Sequence, residues 1–242
     1  MKKPDKSLTK EENRIFTGSL VYLWLALPLA FAACALAFHD FGFKAAVTGS
    51  CMALLILAAI FTGRSLWKIG LILVAFLLSI GGDWFLSHRH GEIFRFISGI
   101  ALFFLAHTGY LVYALQRGTL HYRILAVVLL VYLLFFFGWL SPAIDHFALT
   151  TAVFLYLVIS CVSLGAAAGI ETLPRTAKLF FVGGILLILF SDTLIALKEF
   201  LACDEWASLI LPTYYLSHIF ITVALLNSMI QAYQAFKLRK NL

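Results

Sequence analysis

Long apolar stretches alternate with short polar connections along the chain between residues 18 and 233. Eight such stretches can be separated, and each approaches or exceeds the roughly 20 residues that a helix needs to cross a bilayer. Their short connections predict that consecutive helices are antiparallel neighbours. The pattern therefore predicts an all-α membrane protein, a bundle of about eight transmembrane helices. The predicted spans lie near 18–38, 45–62, 67–87, 94–115, 123–140, 147–168, 177–197 and 207–233.

The composition agrees with this architecture. Hydrophobic residues make up 62% of the 242 residues and charged residues only 12%, and the mean hydropathy is +0.98. Soluble domains carry about 25% charged residues, so little of this chain can form a soluble domain. We predict a single transmembrane domain over 17–236, with a cytoplasmic tail at 1–16 and a basic tail at 237–242.

The net charge of +6 indicates topology rather than nucleic-acid binding. The basic residues lie at the ends and in the connections, where they meet lipid headgroups, and not in a surface stripe. With the N-terminus inside, 14 of the 18 Lys and Arg residues fall on the cytoplasmic side. This positive-inside bias predicts cytoplasmic termini and a multi-pass protein of the bacterial inner (cell) membrane.

Two aspartates interrupt the apolar stretches. Asp83 lies near the end of the third span, and Asp192 lies at a corresponding place in the seventh. An aspartate inside a bilayer helix costs roughly 2.5–3.5 kcal/mol, so each is expected to face protein or water. The two spans run in the same direction, which places both acids at a similar depth, roughly 23 Å from the inner end at 1.5 Å per residue. We therefore predict that the two acids share one site.

Other polar side chains are predicted at the same depth. The fourth span carries Gly99, Phe103, His107 and Tyr110 at a spacing that places all four on one helical face. The last span begins on the outer side, so the pair Tyr214-Tyr215 lies in the outer half as well. Ionisable and hydroxyl groups from four helices thus converge in the outer half of the bundle.

Simpler interpretations of these residues remain open. His107 fits an interhelical hydrogen bond, the two tyrosines fit an interfacial aromatic pair, and either aspartate fits an interfacial position. Ser191, next to Asp192, has no evident base, which disfavours a Ser–His–Asp triad. The spacing of Gly165 and Gly169 permits a close helix contact, although such a spacing is a weak signal.

Metal binding is the main chemical alternative. His88, His90 and His218 together with Asp83 have the donor types of a zinc site, but no HxxxH or HExxH spacing occurs. The four cysteines form no close pair and no metal spacing, which is typical of packing residues. We therefore predict no metal and no other cofactor.

Two other functional classes are compatible with intramembrane acids. One is a metal-dependent membrane hydrolase of an amide or ester lipid. The other is a small proton- or cation-coupled transporter, because intramembrane acids often mark ion pathways. The polar residues do not extend into the inner half, and the sequence shows no convincing internal repeat of the kind common in transporters.

Four groups of residues resemble the YhhN-like lysoplasmalogenase family of integral membrane hydrolases. They are Gly82-Asp83-x-x-Leu86, the helical face that ends in His107 and Tyr110, Ser191-Asp192 with Ala196, and Tyr214-Tyr215. The resemblance covers residues 18–233. Where the family typically has Ala-Gln after the tyrosines, this chain has Ser217-His218, a departure at the polar position of the last helix.

The resemblance implies hydrolysis of a lysoplasmalogen, a single-chain lipid with a vinyl ether at sn-1. The products are a fatty aldehyde and a glycerophospho-choline or -ethanolamine, and the partners are this lysophospholipid and membrane lipids. A vinyl ether is cleaved by protonation of its β-carbon to an oxocarbenium ion, followed by addition of water. Two carboxyl groups in a low-dielectric cavity suit this reaction, because both cannot ionise cheaply and one therefore keeps its proton.

On this basis the sequence gives a set of expected roles. Asp83 and Asp192 form the acid and anion pair, and the tyrosines with His107 orient water or hold the protonation state. Residues at the outer rim, Arg95 among them, are expected to meet the headgroup. The expected catalytic residues are Asp83, Asp192, His107, Tyr214 and Tyr215. The expected substrate-binding residues are Ser191, Tyr110, Phe103, Trp84, Arg89 and His218.

Overall fold

The structure, a computed structural model, describes residues 23–240 of the chain. The tail predicted over 1–16 and the start of the first predicted span lie outside the described residues. Eight helices follow one another, and no strand occurs in the described part, so the predicted all-α fold is confirmed. The helices are α1 (Ala26–Phe38), α2 (Phe41–Phe61), α3 (Gly70–Ser87), α4 (Ile93–Leu115), α5 (Tyr122–Ala143), α6 (Phe147–Ala168), α7 (Arg175–Leu201) and α8 (Ile210–Lys240).

Seven of these helices, α2 to α8, are long and apolar enough to cross a membrane. The prediction of a multi-pass membrane protein is therefore confirmed, and α6 has the same bounds as its predicted span. The last helix continues to Lys240, through the first residues of the segment predicted as a basic tail. The cytoplasmic location of the termini remains a prediction.

Local sequence determines where several helices begin. The side chain of Asp40 accepts a hydrogen bond of 2.8 Å from the backbone N–H of Gly42 and so caps α2. The Nδ1 atom of His146 accepts from the backbone N–H of Leu149 at the start of α6. Each cap satisfies a backbone donor that the helix itself leaves free.

Six helices form a closed ring around the core. In the order α2, α3, α4, α6, α7 and α8 each helix packs on the next, and α8 packs on α2. Helix α1 lies outside against α2 and α8, and α5 lies outside against α6. Large side chains fill the ring, among them Phe76, Tyr110, Phe181 and Ile221, which are all buried.

The same order of helix contacts occurs twice in this ring. Helices α2, α3 and α4 pack in sequence, as do α6, α7 and α8, and the contact of α4 with α6 corresponds to that of α8 with α2. Asp83 lies on the middle helix of the first unit and Asp192 on the middle helix of the second. The repeat is one of packing, in a chain whose sequence shows no convincing repeat.

Glycine permits a close backbone approach where the α4–α5 and α6–α7 connections meet. The carbonyl oxygen of Gly169 accepts a hydrogen bond of 3.1 Å from the backbone N–H of Thr119. A Cβ atom on Gly169 would overlap the Thr119 carbonyl oxygen, and one on Gly165 would approach the Cβ of Leu125 to 2.9 Å. The close contact that the spacing of this glycine pair permits is therefore present. Its partners are the start of α5 and the connection before α5.

We expect Gly169→Ala to destabilise the protein strongly, because the new methyl group would displace the backbone of Thr119. Overpacking commonly lowers the free energy of unfolding by about 1–3 kcal/mol. We expect a loss at the upper end of this range, because backbone must move. Thermal unfolding in detergent measures the effect. Gly138→Ala is the matched control, since a Cβ there meets no atom within 4 Å. Equal melting temperatures for the two variants would contradict the prediction.

Candidate active site

Asp83 is held by a tyrosine from the last helix. It lies on α3, four residues before the helix ends, and its Oδ2 accepts a hydrogen bond of 2.9 Å from the hydroxyl of Tyr214 on α8. Gly82 makes room beside it, because a Cβ there would lie 2.8 Å from the ring of Phe103. The Phe103 ring meets Tyr214 edge-on with centroids 6.2 Å apart. Three of the predicted site residues, Asp83, Phe103 and Tyr214, are thus brought together.

Asp192 has a second set of partners. The hydroxyl of Tyr156, on α6, donates a hydrogen bond of 2.5 Å to Asp192 Oδ2, and His107 Nε2 lies 3.8 Å from the same oxygen. The rings of His107 and Tyr156 meet edge-on with centroids 5.4 Å apart. The Asp192 side chain is 17% exposed whereas that of His107 is 1% exposed. The carboxylate is therefore accessible, and the imidazole behind it is not.

Aromatic and imidazole rings connect the two carboxylates across the core. His107 contacts Tyr110 with ring centroids 5.8 Å apart, and Tyr110 contacts Phe76 at 6.4 Å. Phe76 in turn lies 4.9 Å from the ring of His218, which lies 4.6 Å from that of Tyr214. The predicted convergence of polar groups from different helices is thus present as one continuous cluster.

This cluster contains buried polar atoms that have no hydrogen-bond partner. They are both ring nitrogens of His107, the Tyr110 hydroxyl and His218 Nε2, four of the seven such side-chain atoms in residues 23–239. Buried polar groups in folded proteins are normally paired, so their concentration in one place points to a polar ligand or water. His218 Nδ1 is engaged by the carbonyl oxygen of Tyr214 at 3.1 Å.

Two predicted site residues have mainly structural contacts. The buried hydroxyl of Ser191 donates to the carbonyl oxygen of Ile210 at 2.9 Å, which ties α7 to the first turn of α8. Tyr215 is buried in a cluster with Ala35 and Val47 of α1 and α2, which also contains Tyr214. The catalytic role of Tyr215 and the substrate-binding role of Ser191 remain predictions.

At the rim, the expected headgroup cations are already paired. Arg89 forms a 2.7 Å ion pair with Glu199, and Arg95 forms one of 2.8 Å with Glu92. Trp84 is exposed and stacks on His88 with ring centroids 5.0 Å apart. The headgroup role of Arg89 remains a prediction, and Trp84 offers the more accessible surface for a headgroup cation.

The histidines considered for a zinc site lie apart. His88 and His90 follow the end of α3, whereas His218 is buried in α8 between Tyr214 and Phe76. Within the described residues no three His, Cys, Asp or Glu side chains come together as a possible metal site.

Tyr156 is the residue of this site that the sequence does not indicate. It lies in the apolar segment Phe154-Leu155-Tyr156-Leu157, where a tyrosine reads as one more hydrophobic residue. Tyr132 resembles it, since its hydroxyl lies 2.6 Å from Thr193 Oγ1 on α7, next to Asp192. A tyrosine hydroxyl buried in an apolar interior generally needs a hydrogen-bond partner. This need was the one signal in the sequence that could have indicated Tyr156.

Comparison with known protein families finds a match to one family. The model of the YhhN family matches residues 41–225, a range that runs from the start of α2 into α8 and contains both aspartates. No curated protein and no solved structure matches the chain significantly.

Proposed function

The chain belongs to the YhhN family, the family of lysoplasmalogenases, and on that premise we propose that it hydrolyses the sn-1 vinyl ether of lysoplasmalogens. The products are a fatty aldehyde and a glycerophospho-choline or -ethanolamine. The observation that carries the proposal is a pair of carboxyl groups, each with a tyrosine donor, in an otherwise apolar and aromatic interior. We place this hydrolase in the bacterial inner membrane.

Vinyl ether hydrolysis needs an acid that protonates the β-carbon and an anion close to the cation that results. We assign the acid to Asp83 and the anion to Asp192, because Asp192 accepts the shorter of the two tyrosine hydrogen bonds. Tyr156 donates to Asp192 Oδ2 at 2.5 Å, whereas Tyr214 donates to Asp83 Oδ2 at 2.9 Å. Hydrogen bonds to a carboxylate favour its charged form.

The reaction then proceeds in three steps. Asp83 transfers its proton to the β-carbon, the double bond shifts, and an oxocarbenium ion forms at the carbon bonded to oxygen. Water adds to that carbon and gives its proton to Asp192, which produces a hemiacetal. The hemiacetal breaks its C–O bond to glycerol, its hydroxyl proton passes to the leaving oxygen, and the aldehyde is released. Exchange with solvent returns a proton to Asp83 and removes one from Asp192.

The neighbouring residues support these steps. The unpaired nitrogens of His107 and the Tyr110 hydroxyl are placed to bind and orient the attacking water. Tyr214 fixes the orientation of the Asp83 carboxyl group. The rings of Phe103 and Tyr214 offer aromatic surface to the oxocarbenium ion, which a π face attracts.

The test is release of fatty aldehyde from a lysoplasmalogen by the purified full chain in detergent. The saturated ether analogue is the control, because it lacks the double bond that is protonated. Aldehyde from the vinyl ether alone, at a rate that EDTA does not change, would support the proposal. Activity that EDTA abolishes and zinc restores would favour a metal-dependent hydrolase. Absence of aldehyde with folded protein would refute the proposed activity.

We expect Tyr156→Phe to lower kcat about 10- to 100-fold with little change in KM. Tyr156 acts through Asp192, and a hydrogen bond to a charged group contributes roughly 1.5–3 kcal/mol. Steady-state kinetics of aldehyde release measures this. Tyr132→Phe is the matched control, because its hydroxyl meets Thr193 and not a carboxylate. A Tyr156→Phe enzyme with wild-type kcat would show that this bond has no role in turnover.

A further inference from the structure

A basic cavity opens at the end of the bundle opposite the two carboxylates, the end predicted to face the cytoplasm. It has an inner part of about 40 Å³ and an outer part of about 370 Å³, which share Arg64, Arg117 and Ser228 as lining residues. Four segments meet there: the α2–α3 connection, the end of α4, the α6–α7 connection and α8. The polar lining includes Arg64, Lys68, Arg117, Thr172, Ser228 and Gln231.

Within residues 23–240, no acid forms an ion pair with the positive charges of this cavity. Arg64, Lys68 and Arg117 line it, and no aspartate or glutamate does. Within the described residues, none of the three cations lies within 4.0 Å of a carboxylate. Arginines in concave sites bind anions with planar, multi-oxygen groups well, because the guanidinium presents several donors in one plane.

Arg117 is held in position by neutral groups. Its guanidinium carbon lies 3.6 Å from the ring centroid of Tyr113, and its nitrogens donate to the carbonyl oxygens of Lys68 at 2.8 Å and Tyr113 at 3.2 Å. These contacts orient the side chain and leave its charge unneutralised. The cation is therefore ordered before any ligand binds.

Backbone hydrogen bonds fix the wall of the cavity as well. The carbonyl oxygen of Arg117 accepts from the backbone N–H groups of Glu171 at 3.0 Å and Thr172 at 3.1 Å. The α6–α7 connection, which supplies Thr172 to the lining, is thereby attached to the end of α4. The cavity is preformed, which lowers the cost of ordering on binding.

We propose that this cavity binds a phosphate group, either that of a lipid headgroup or free phosphate. The inner part has room for about three waters, judged by the 10–15 Å³ that one water needs, which is close to the size of one phosphate. The outer part has room for the glycerol portion of a lipid. The cavity lies at the predicted cytoplasmic ends of transmembrane helices, and basic pockets between such ends are typical binding sites of anionic lipid headgroups.

This site is separate from the proposed active site. Arg117 follows His107 by ten residues and lies just past the end of α4, roughly 15 Å away at 1.5 Å per residue. Buried Phe181 and Ile221, which do not line the cavity, belong to the same core cluster as Tyr110. The cavity is therefore too far away to hold the phosphate of a lysolipid whose vinyl ether lies at Asp83, and the inference goes beyond the proposed function.

Thermal unfolding of the purified full chain in detergent tests the inference. It is titrated in separate arms with dihexanoyl phosphatidic acid, inorganic phosphate and, as a zwitterionic control, dihexanoyl phosphatidylcholine. We expect phosphatidic acid to raise the melting temperature of the wild type at a concentration at least tenfold lower than phosphatidylcholine does. An equal response to inorganic phosphate would identify free phosphate as a sufficient ligand, whereas a response to phosphatidic acid alone would identify a lipid headgroup.

Two variants locate the response. Arg117→Gln and Arg64→Gln should each require at least tenfold more ligand for the same shift, and Arg64→Gln keeps the test valid if loss of the Arg117 hydrogen bonds impairs folding. Arg175→Gln is the matched control, because Arg175 begins α7 at the same end, is exposed, and does not line the cavity. No shift with either phosphate ligand, or equal losses in Arg64→Gln and Arg175→Gln, would overturn the inference.

Discussion

Replacement of Asp83 by asparagine is expected to slow aldehyde release by orders of magnitude while the protein still folds and inserts. Asparagine has the size of aspartate and its amide oxygen accepts the Tyr214 hydrogen bond, but it has no proton to give to carbon. General acid catalysis contributes typically 10²–10⁴-fold, so the rate should fall by about that factor.

Single-turnover release of aldehyde measures the loss, with Asp40→Asn as the control. Asp40 is the cap of α2, and asparagine caps a helix equally well, so this Asp-to-Asn change outside the site should leave activity and melting temperature unchanged. Wild-type turnover in Asp83→Asn would remove Asp83 from the reaction.

The position of the transferred proton separates the acid from the anion. In D₂O the wild type should deliver deuterium to one face of the β-carbon, because the Asp83 carboxyl group is held in one orientation by Tyr214. Immediate reduction of the aldehyde to the alcohol preserves that configuration for analysis. Residual product from Asp83→Asn should contain both configurations, since solvent then delivers the deuteron. A single configuration in this product would assign the proton transfer to another group.

Hydropathy predicted the spans well because a membrane imposes length and apolarity on each helix. The bounds of α6 agree in full, and the other ends differ by a few residues where caps and turns decide them. The end of α8 differs most, since Gln231 and Gln234 lower the hydropathy without interrupting a helix. A hydropathy pattern shows which part of a helix is apolar. It does not show that the helix continues beyond the apolar part.

The order of the helices around the ring was not accessible from the sequence. A soluble helix shows its buried face by periodicity, but a membrane helix is apolar on both its lipid face and its protein face. Helix α5 illustrates this, because its stretch Tyr122–Phe135 is strongly apolar and yet buries no residue fully. Its place outside the ring, with α4 against α6, follows from packing alone.

The depth of each polar residue in its predicted span was the part of the site that the sequence could predict. Equal depth on α3 and α7 indicated that Asp83 and Asp192 belong together, and the structure joins them through one cluster of rings. Depth does not choose between Tyr214 and Tyr215, because adjacent helical residues point about 100° apart. In the structure Tyr214 donates to Asp83, whereas the buried Tyr215 hydroxyl has no hydrogen-bond partner among the described residues.

Replacement of Asp192 by asparagine should also cause a large loss, for a different reason. In the proposed mechanism the carboxylate faces the oxocarbenium ion and accepts the proton of the attacking water, and a neutral amide does neither. Removal of one preorganised electrostatic group commonly lowers kcat by about 10²–10³. Because Asp83 still donates the proton, residual product formed in D₂O should keep a single configuration. Asp204→Asn, outside the helices, is the control.

The Asp192→Asn variant also tests whether Tyr156 acts through Asp192. In the wild-type background, Tyr156→Phe removes a hydrogen-bond donor from the Asp192 carboxylate, but in the Asp192→Asn background the charge of this carboxylate is already absent. Mutations that act on one element are not additive, so Tyr156→Phe should add less than a twofold further loss in the Asp192→Asn background. Losses that multiply in full would show an independent role for the tyrosine hydroxyl, for instance direct contact with water. Sub-additive losses together with a retained product configuration would make Tyr156 and Asp192 one functional unit that stabilises the cation.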